Sequence, residues 1–177
     1  MYQKDRKKGG GGIIAYFDSS LPSKELKVMK KYKTIEILAV EARLGNNEVI
    51  FLGIYRTPKL SDPQPDTHYL ERVEEELNNA CMWASLKKQI FIITGDLNLE
   101  RLKPESREGK ILADLEEEHG MQCLITKPTR ITPTPETLLG VILSNKPNLF
   151  RKEGSFNQEI CDNHLIYGRF KAISTTA

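Results

Sequence analysis

Residues 90–93 read Ile-Phe-Ile-Ile, with no polar side chain among them. A run this apolar and β-branched is a strand buried on both faces, and it demands that something pack on each side of it. It ends abruptly: Thr94 and Gly95 interrupt it, and Asp96 and Asn98 follow on either side of Leu97. Upstream, "IEILAVEARL" (35–44) alternates apolar and polar residues near its middle, and "EVIFLGIYR" (48–56) is β-branched and aromatic. The Gly-Asn-Asn between them is turn chemistry, so this pair is predicted to be a β-hairpin.

Helical periodicity marks two further segments. From about Thr67 to Leu86, after the loop "SDPQPD" (61–66), Leu70, Val73, Leu77, Ala80, Cys81 and Ala84 recur at helical spacing. A second helix is predicted over roughly 104–118, with Pro104 in its first turn, Gly120 past its end, and Ile111, Leu112 and Leu115 on its inner stripe. "QCLI" (122–125), "TLLGVIL" (137–143) and "HLIYGRF" (164–170) read as more strands, and "GGGGIIAYFD" (9–18) as a loop feeding one. Hairpins with helices inserted between strands predict an α/β layered sandwich. The length predicts one domain over residues 1–177, with residues 1–11 flexible.

Several function classes fall away. The four glycines precede a strand and no Gly-Lys-Ser/Thr follows, so a nucleotide loop is not expected. A net charge of +2 is no overall nucleic-acid signature; Lys4, Arg6, Lys7 and Lys8 fit a solvated terminus or a phosphate contact. Cys81, Cys123 and Cys161 lack CxxC spacing, and His68, His119 and His164 are scattered, so neither a disulfide frame nor zinc is expected. Without a bilayer-length apolar run or a signal-peptide core, the expectation is an intracellular chain, nuclear or cytoplasmic, with no membrane partner. "EEE" (74–76) and "EEEH" (116–119) read as exposed helix faces, and Trp83 as packing.

The strand's polar ending carries the chemistry. A strand closing at Gly95 presents Asp96 where loops and solvent meet. Period-two alternation is expected to point Asp96 and Asn98 to the same side, with Leu97 in the core. A carboxylate that handles water and an amide that holds a phosphoryl oxygen suit a phosphodiester. Gly-Asp and Asn are also ordinary turn formers, and these residues alone leave both readings open.

Four ordered segments carry a resemblance. "GDLN" (95–98), "LGIYRTP" (52–58), "TRITPTPETLLGVILSNKPNLF" (129–150) and "EICDNHLIYGRF" (159–170) resemble signatures of the metal-dependent endonuclease/exonuclease/phosphatase superfamily. The style is that of the endonuclease domains of non-long-terminal-repeat (non-LTR) retrotransposons, and the likeness runs from about Asp5 to Phe170. The resemblance implies a four-layer αββα sandwich, here lacking the first strands. It implies that Tyr55 contacts the scissile phosphate, Asp96 orients or deprotonates the attacking water, Asn98 helps hold both, and Asp162 lies beside the metal. It also implies Mg²⁺ (or Mn²⁺) held by Asp162 and Asp96, the DNA phosphodiester backbone as substrate, and a reverse transcriptase domain as partner in the ancestral polyprotein.

The chain departs from that pattern. Gly140 stands where the family has an aspartate, and Cys161-Asp162-Asn163 replaces Ser-Asp-His. In the family that Asp steers and charges the His, which stabilises the pentacovalent phosphate. Asn163 can donate a hydrogen bond but carries no charge. His164 is one residue along and is expected to face the opposite side from position 163. Loss of such a positioned donor costs about a hundredfold to ten-thousandfold in rate. The family's amino-terminal Asn and Glu segments are also expected to be absent, which weakens the metal site, exposes unpaired backbone and favours association. Glu36 and Glu41 read as solvent-facing strand residues. The expectation is a domain ancestrally a DNA-nicking endonuclease and now catalytically impaired. The alternatives are a non-catalytic remnant or DNA-binding module of the same fold, and a phosphatase acting on small phosphate esters or lipids.

Overall fold

The run at 90–93 lies inside a six-stranded sheet, with Ile90, Phe91, Ile92 and Ile93 all buried. The computed structural model describes residues 1–5, 12–57, 68–130, 137–157 and 164–171. In chain order these form β1 (Tyr2–Asp5), β2 (Gly12–Ala15), β3 (Ser23–Leu26), β4 (Ile35–Leu44), β5 (Asn47–Arg56), α1 (Tyr69–Lys87) and β6 (Ile90–Asp96). There follow α2 (Arg107–Glu118), β7 (Gln122–Cys123), β8 (Gly140–Ser144), β9 (Phe150–Phe156) and β10 (Leu165–Phe170).

The large sheet runs β3-β4-β5-β6-β8-β7, and β1-β2 and β9-β10 are separate antiparallel ribbons. Its β5-β6 pair is parallel and the rest are antiparallel. A parallel pair needs a crossover, which α1 provides.

Period-two alternation sorts the two faces of β5. Ile50, Leu52, Ile54 and Arg56 share one face. The Arg56 guanidinium meets the Tyr69 ring of α1 at 5.8 Å and Glu108 of α2 at 3.4 Å, so this is the helical face. Phe51, Gly53 and Tyr55 share the other. There Phe51 meets the rings of Phe17 and Phe170 at 5.5 and 6.3 Å, so the ribbons cover it. Helices, sheet and ribbons make the expected α/β sandwich. A fourth, helical layer over the ribbons has no counterpart among the described residues.

The predicted hairpin forms in register, with Leu44 opposite Asn47 and Gly45 at φ +59° in the two-residue turn. α1 begins at Tyr69; Thr67 and the expected loop at 61–66 lie outside the described residues. α2 begins at Arg107, later than Pro104, because Ser106 takes the cap position and its hydroxyl accepts the Gly109 N–H at 3.0 Å. β8 begins at Gly140, later than 137, because side chains claim the preceding donors. Leu138 N–H goes to Glu100 Oε1, and Leu139 N–H to Thr129 Oγ1.

The stretch 1–11, expected to be flexible, carries β1 over residues 2–5. Tyr2 packs its ring on Phe17 at 5.8 Å and bonds Ser23 Oγ at 3.0 Å, and Lys4 donates to Ile37 O at 2.8 Å. Residues 6–11 lie outside the described set. β3 and β9 were not expected; each is short or strongly polar and pairs with a neighbour supplied by the tertiary fold. No described helix is long and apolar enough to cross a membrane.

One expectation is corrected outright. Glu76, read within an exposed acidic run, is buried, in phase with Val73, Leu77 and Ala80. Its carboxylate accepts from Lys33 N at 2.7 Å, Thr34 N at 2.8 Å, Thr34 Oγ1 at 2.7 Å and Ile35 N at 3.3 Å. It thereby caps the chain entering β4, while Glu75 stays exposed. Glu76→Ala orphans buried donors and is expected to lower unfolding free energy by about 3 kcal/mol. Urea denaturation measures this; an unchanged midpoint refutes it.

Candidate functional site

The close approach of β5 and β6 explains the glycine before Asp96. Gly95 has φ +140°, and a Cβ there would lie 2.0 Å from Ile54 O. Only glycine permits that contact, and it brings the ends of the two strands together. Asp96, the last residue of β6, pairs with Gly140 of β8. Alternation places Asp96 and Tyr55 on the ribbon-covered face.

Two cavities meet at Asp96. The larger, about 550 Å³, runs between β2 and the sheet, with Leu38, Phe51, Tyr55, Thr94 and Asp96 on its wall. The smaller, about 220 Å³, is lined by Thr94, Asp96, Thr129, Gly140, His164 and Ile166 among others. The fold thus gathers Tyr55 and Asp96 around one space, and Asp96 with Gly140 and His164 around the next. Asp162 and Asn163 lie outside the described residues.

Asn98 is placed differently from expectation. The strand stops at Asp96, and Asn98 adopts φ +48° while its N–H donates to Asp96 Oδ1 at 2.9 Å. This is a side-chain-closed turn, so alternation does not carry through to position 98. The Asn98 amide instead donates to Arg56 O at 2.7 Å and lines neither cavity. Its carboxylate-facing backbone and strand-facing side chain lock the loop in place.

Arg56 completes the lock and escaped the sequence reading. It is 4% exposed, and its Nε donates to Leu97 O at 2.5 Å and its Nη2 to Asn98 O. The available signal was its phase, since it follows Ile50, Leu52 and Ile54 at two-residue steps into the core. Glu100 and Thr129 also escaped. Glu100 Oε1 receives Leu102 N–H at 2.8 Å and Leu138 N–H at 3.2 Å, tying the loop to the entry of β8. Thr129 Oγ1 accepts Leu139 N–H at 3.1 Å and Gly140 N–H at 3.0 Å.

Comparison with known proteins places this arrangement. No protein-family model matches the chain, and no curated protein matches it. Among solved structures, the endonuclease domain of TRAS1, a telomere-specific non-LTR retrotransposon, superposes with a TM-score of 0.68 at 17% identity. That match covers 97% of this chain and 77% of the TRAS1 domain. An endonuclease/exonuclease/phosphatase family protein from Leptotrichia buccalis matches with TM-score 0.50 and 12% identity, over 86% of this chain and 61% of that one. The inositol polyphosphate 5-phosphatase domain of a synaptojanin, solved with inositol (1,4)-bisphosphate and a calcium ion, matches with TM-score 0.51 and 8% identity. It is covered over 53% of its length by 84% of this chain.

The fold is that of the endonuclease/exonuclease/phosphatase superfamily.

Within this superfamily fold the described residues make a poor divalent site by themselves. Mg²⁺ takes octahedral oxygen ligands that include one or two carboxylates. Among the described residues no group of three or more His, Cys, Asp or Glu side chains is placed to hold a metal ion. Asp96 is the single carboxylate among the described residues lining either cavity, and one of its oxygens already accepts from Asn98. The described ligand set does not fit the ion.

Proposed function

We propose that this chain is a phosphodiester hydrolase domain of the retrotransposon-endonuclease type that nicks DNA slowly. The observation that supports it is Asp96 at the end of β6, beside Tyr55 and in register with Gly140, at the junction of two cavities. In this reading Asp96 takes a proton from a water whose oxygen bonds to phosphorus as the P–O bond to one sugar oxygen breaks, and that leaving oxygen takes its proton from solvent. The Tyr55 phenol donates to a phosphoryl oxygen. Asn98 and Arg56 hold the Asp96 loop rigid, so that the carboxylate pays no reorganisation during attack. By resemblance alone, Asp162 and Asp96 are assigned to Mg²⁺, Asn163 to the place of the family histidine, and a reverse transcriptase domain to the role of partner.

The slow rate follows from Gly140, which offers no carboxylate opposite Asp96. A Cβ there would sit 3.5 Å from Thr129 Oγ1 and 3.6 Å from Ile166 Cδ1, ordinary contacts that admit that atom. The same vacancy favours a second reading, a DNA-binding module of this fold without catalysis. Supercoiled plasmid in Mg²⁺ buffer separates the two. Slow conversion to open circles is expected, with Gly140→Asp and Asn163→His together raising the rate about tenfold by restoring both members of the pair. Plasmid retained in a gel shift but left unnicked by both proteins supports the second reading and ends the first.

A further inference from the structure

The strongest unmet hydrogen-bonding demand near Asp96 belongs to His164. Its Nε2 is buried and has no hydrogen-bond partner among the described residues. Buried polar atoms in native proteins are nearly always paired, so an orphaned ring nitrogen marks a contact waiting to be made. The residue lines the 220 Å³ cavity together with Asp96, Thr129 and Gly140. The expectation that it faces the opposite side from position 163 concerns Asn163, which lies outside the described residues. β10 starts at Leu165, and alternation sends His164 and Ile166 to the same side, where both line this cavity.

The backbone at His164 is anchored. His164 N–H donates to Thr129 O at 2.7 Å, and Thr129 is 2% exposed. Thr129 Oγ1 already accepts two backbone N–H groups, which occupies both acceptor sites of a hydroxyl and leaves its proton to donate. The cavity thus offers the Thr129 hydroxyl and, in the Nε2–H tautomer, the His164 ring as donors, with the Asp96 carboxylate on the same cavity. Gly140, with no side chain, keeps the space between them open.

We propose that this cavity holds one phosphodiester group, with His164 Nε2–H donating to a non-bridging oxygen and the Thr129 hydroxyl supporting it. The site rests on the phosphodiester reading above and gives it a binding residue that the family pattern does not place at this position. Asp96, on the same cavity, keeps the water.

Dimethyl phosphate titrated into the whole chain tests this, read by long-range ¹H–¹⁵N spectra of the imidazole nitrogens. His164→Gln assigns the signals against those of His68 and His119. The expected result is a saturable shift at His164 Nε2 and none at the other two. Followed instead by the backbone amide shift of Gly140, His164→Gln, whose amide can donate from a similar position, should bind dimethyl phosphate within about threefold of the parent, and His164→Leu about tenfold or more weakly. No shift at His164, or equal binding by the leucine variant, overturns the site. If His164→Leu does not fold, the parent titration and the glutamine variant still decide. Plasmid nicking on the same samples keeps the two ideas apart. A His164 shift without nicking supports the site and sinks the hydrolase reading, whereas nicking without a His164 shift overturns the site alone.

Discussion

Asp96→Asn is expected to reduce plasmid nicking by about a hundredfold to ten-thousandfold, the usual worth of a positioned general base. The substitution keeps the size and one acceptor oxygen of the side chain. The turn closed by Asn98 N–H on Oδ1 can therefore persist. What disappears is the negative charge that orients water and takes its proton. Because Asp96 is half-buried at a strand end and in no described ion pair, its replacement should change stability by less than about 1 kcal/mol. Measuring nicking rate and urea midpoint on one preparation separates chemistry from folding. A variant that nicks at the parent rate removes Asp96 from the mechanism.

Gly95→Ala should be the most damaging single methyl in the described chain. The new Cβ would lie 2.0 Å from Ile54 O, 3.0 Å from Ile54 C and 3.2 Å from Ile54 N. All three are backbone atoms, so no rotamer change relieves the clash. Holding alanine at φ +140° adds about 1–3 kcal/mol of backbone strain. Moving β6 away would break the ladder where Gly53 pairs with Thr94. Together these predict a loss of about 3–5 kcal/mol of unfolding free energy. The displaced strand would also part Asp96 from Tyr55, so the fraction that still folds should nick poorly. A urea midpoint indistinguishable from the parent's would refute the account of the close approach.

Much of the frame was legible because its signals are local. The alternation of 35–44 and 48–56 with the Gly-Asn-Asn turn predicted β4 and β5, and the periodicity from Leu70 to Ala84 predicted α1. Polar residues in core phase were misread, as Glu76 was, or passed over, as Arg56 was. Glu76 follows Val73 by three and Arg56 follows Ile54 by two, and each is buried because backbone groups from elsewhere satisfy it. Hydrophobicity discards such residues, although their phase marks them. β9 was illegible for the opposite reason: Arg151, Lys152 and Glu153 carry no apolar period, and the strand exists because β10 pairs with it.

The sequence by itself determined that an apolar strand ends in glycine and aspartate, since side-chain period and backbone sterics act over a few residues. It also determined, through Gly140, that one wall of the site would be bare. Only the tertiary structure decided what faces Asp96. Gly140 lies opposite it, His164 closes the same cavity, and Asn98 turns back to Arg56. Those meetings depend on register between strands far apart in the chain, which is set when whole faces are buried and their backbone groups paired.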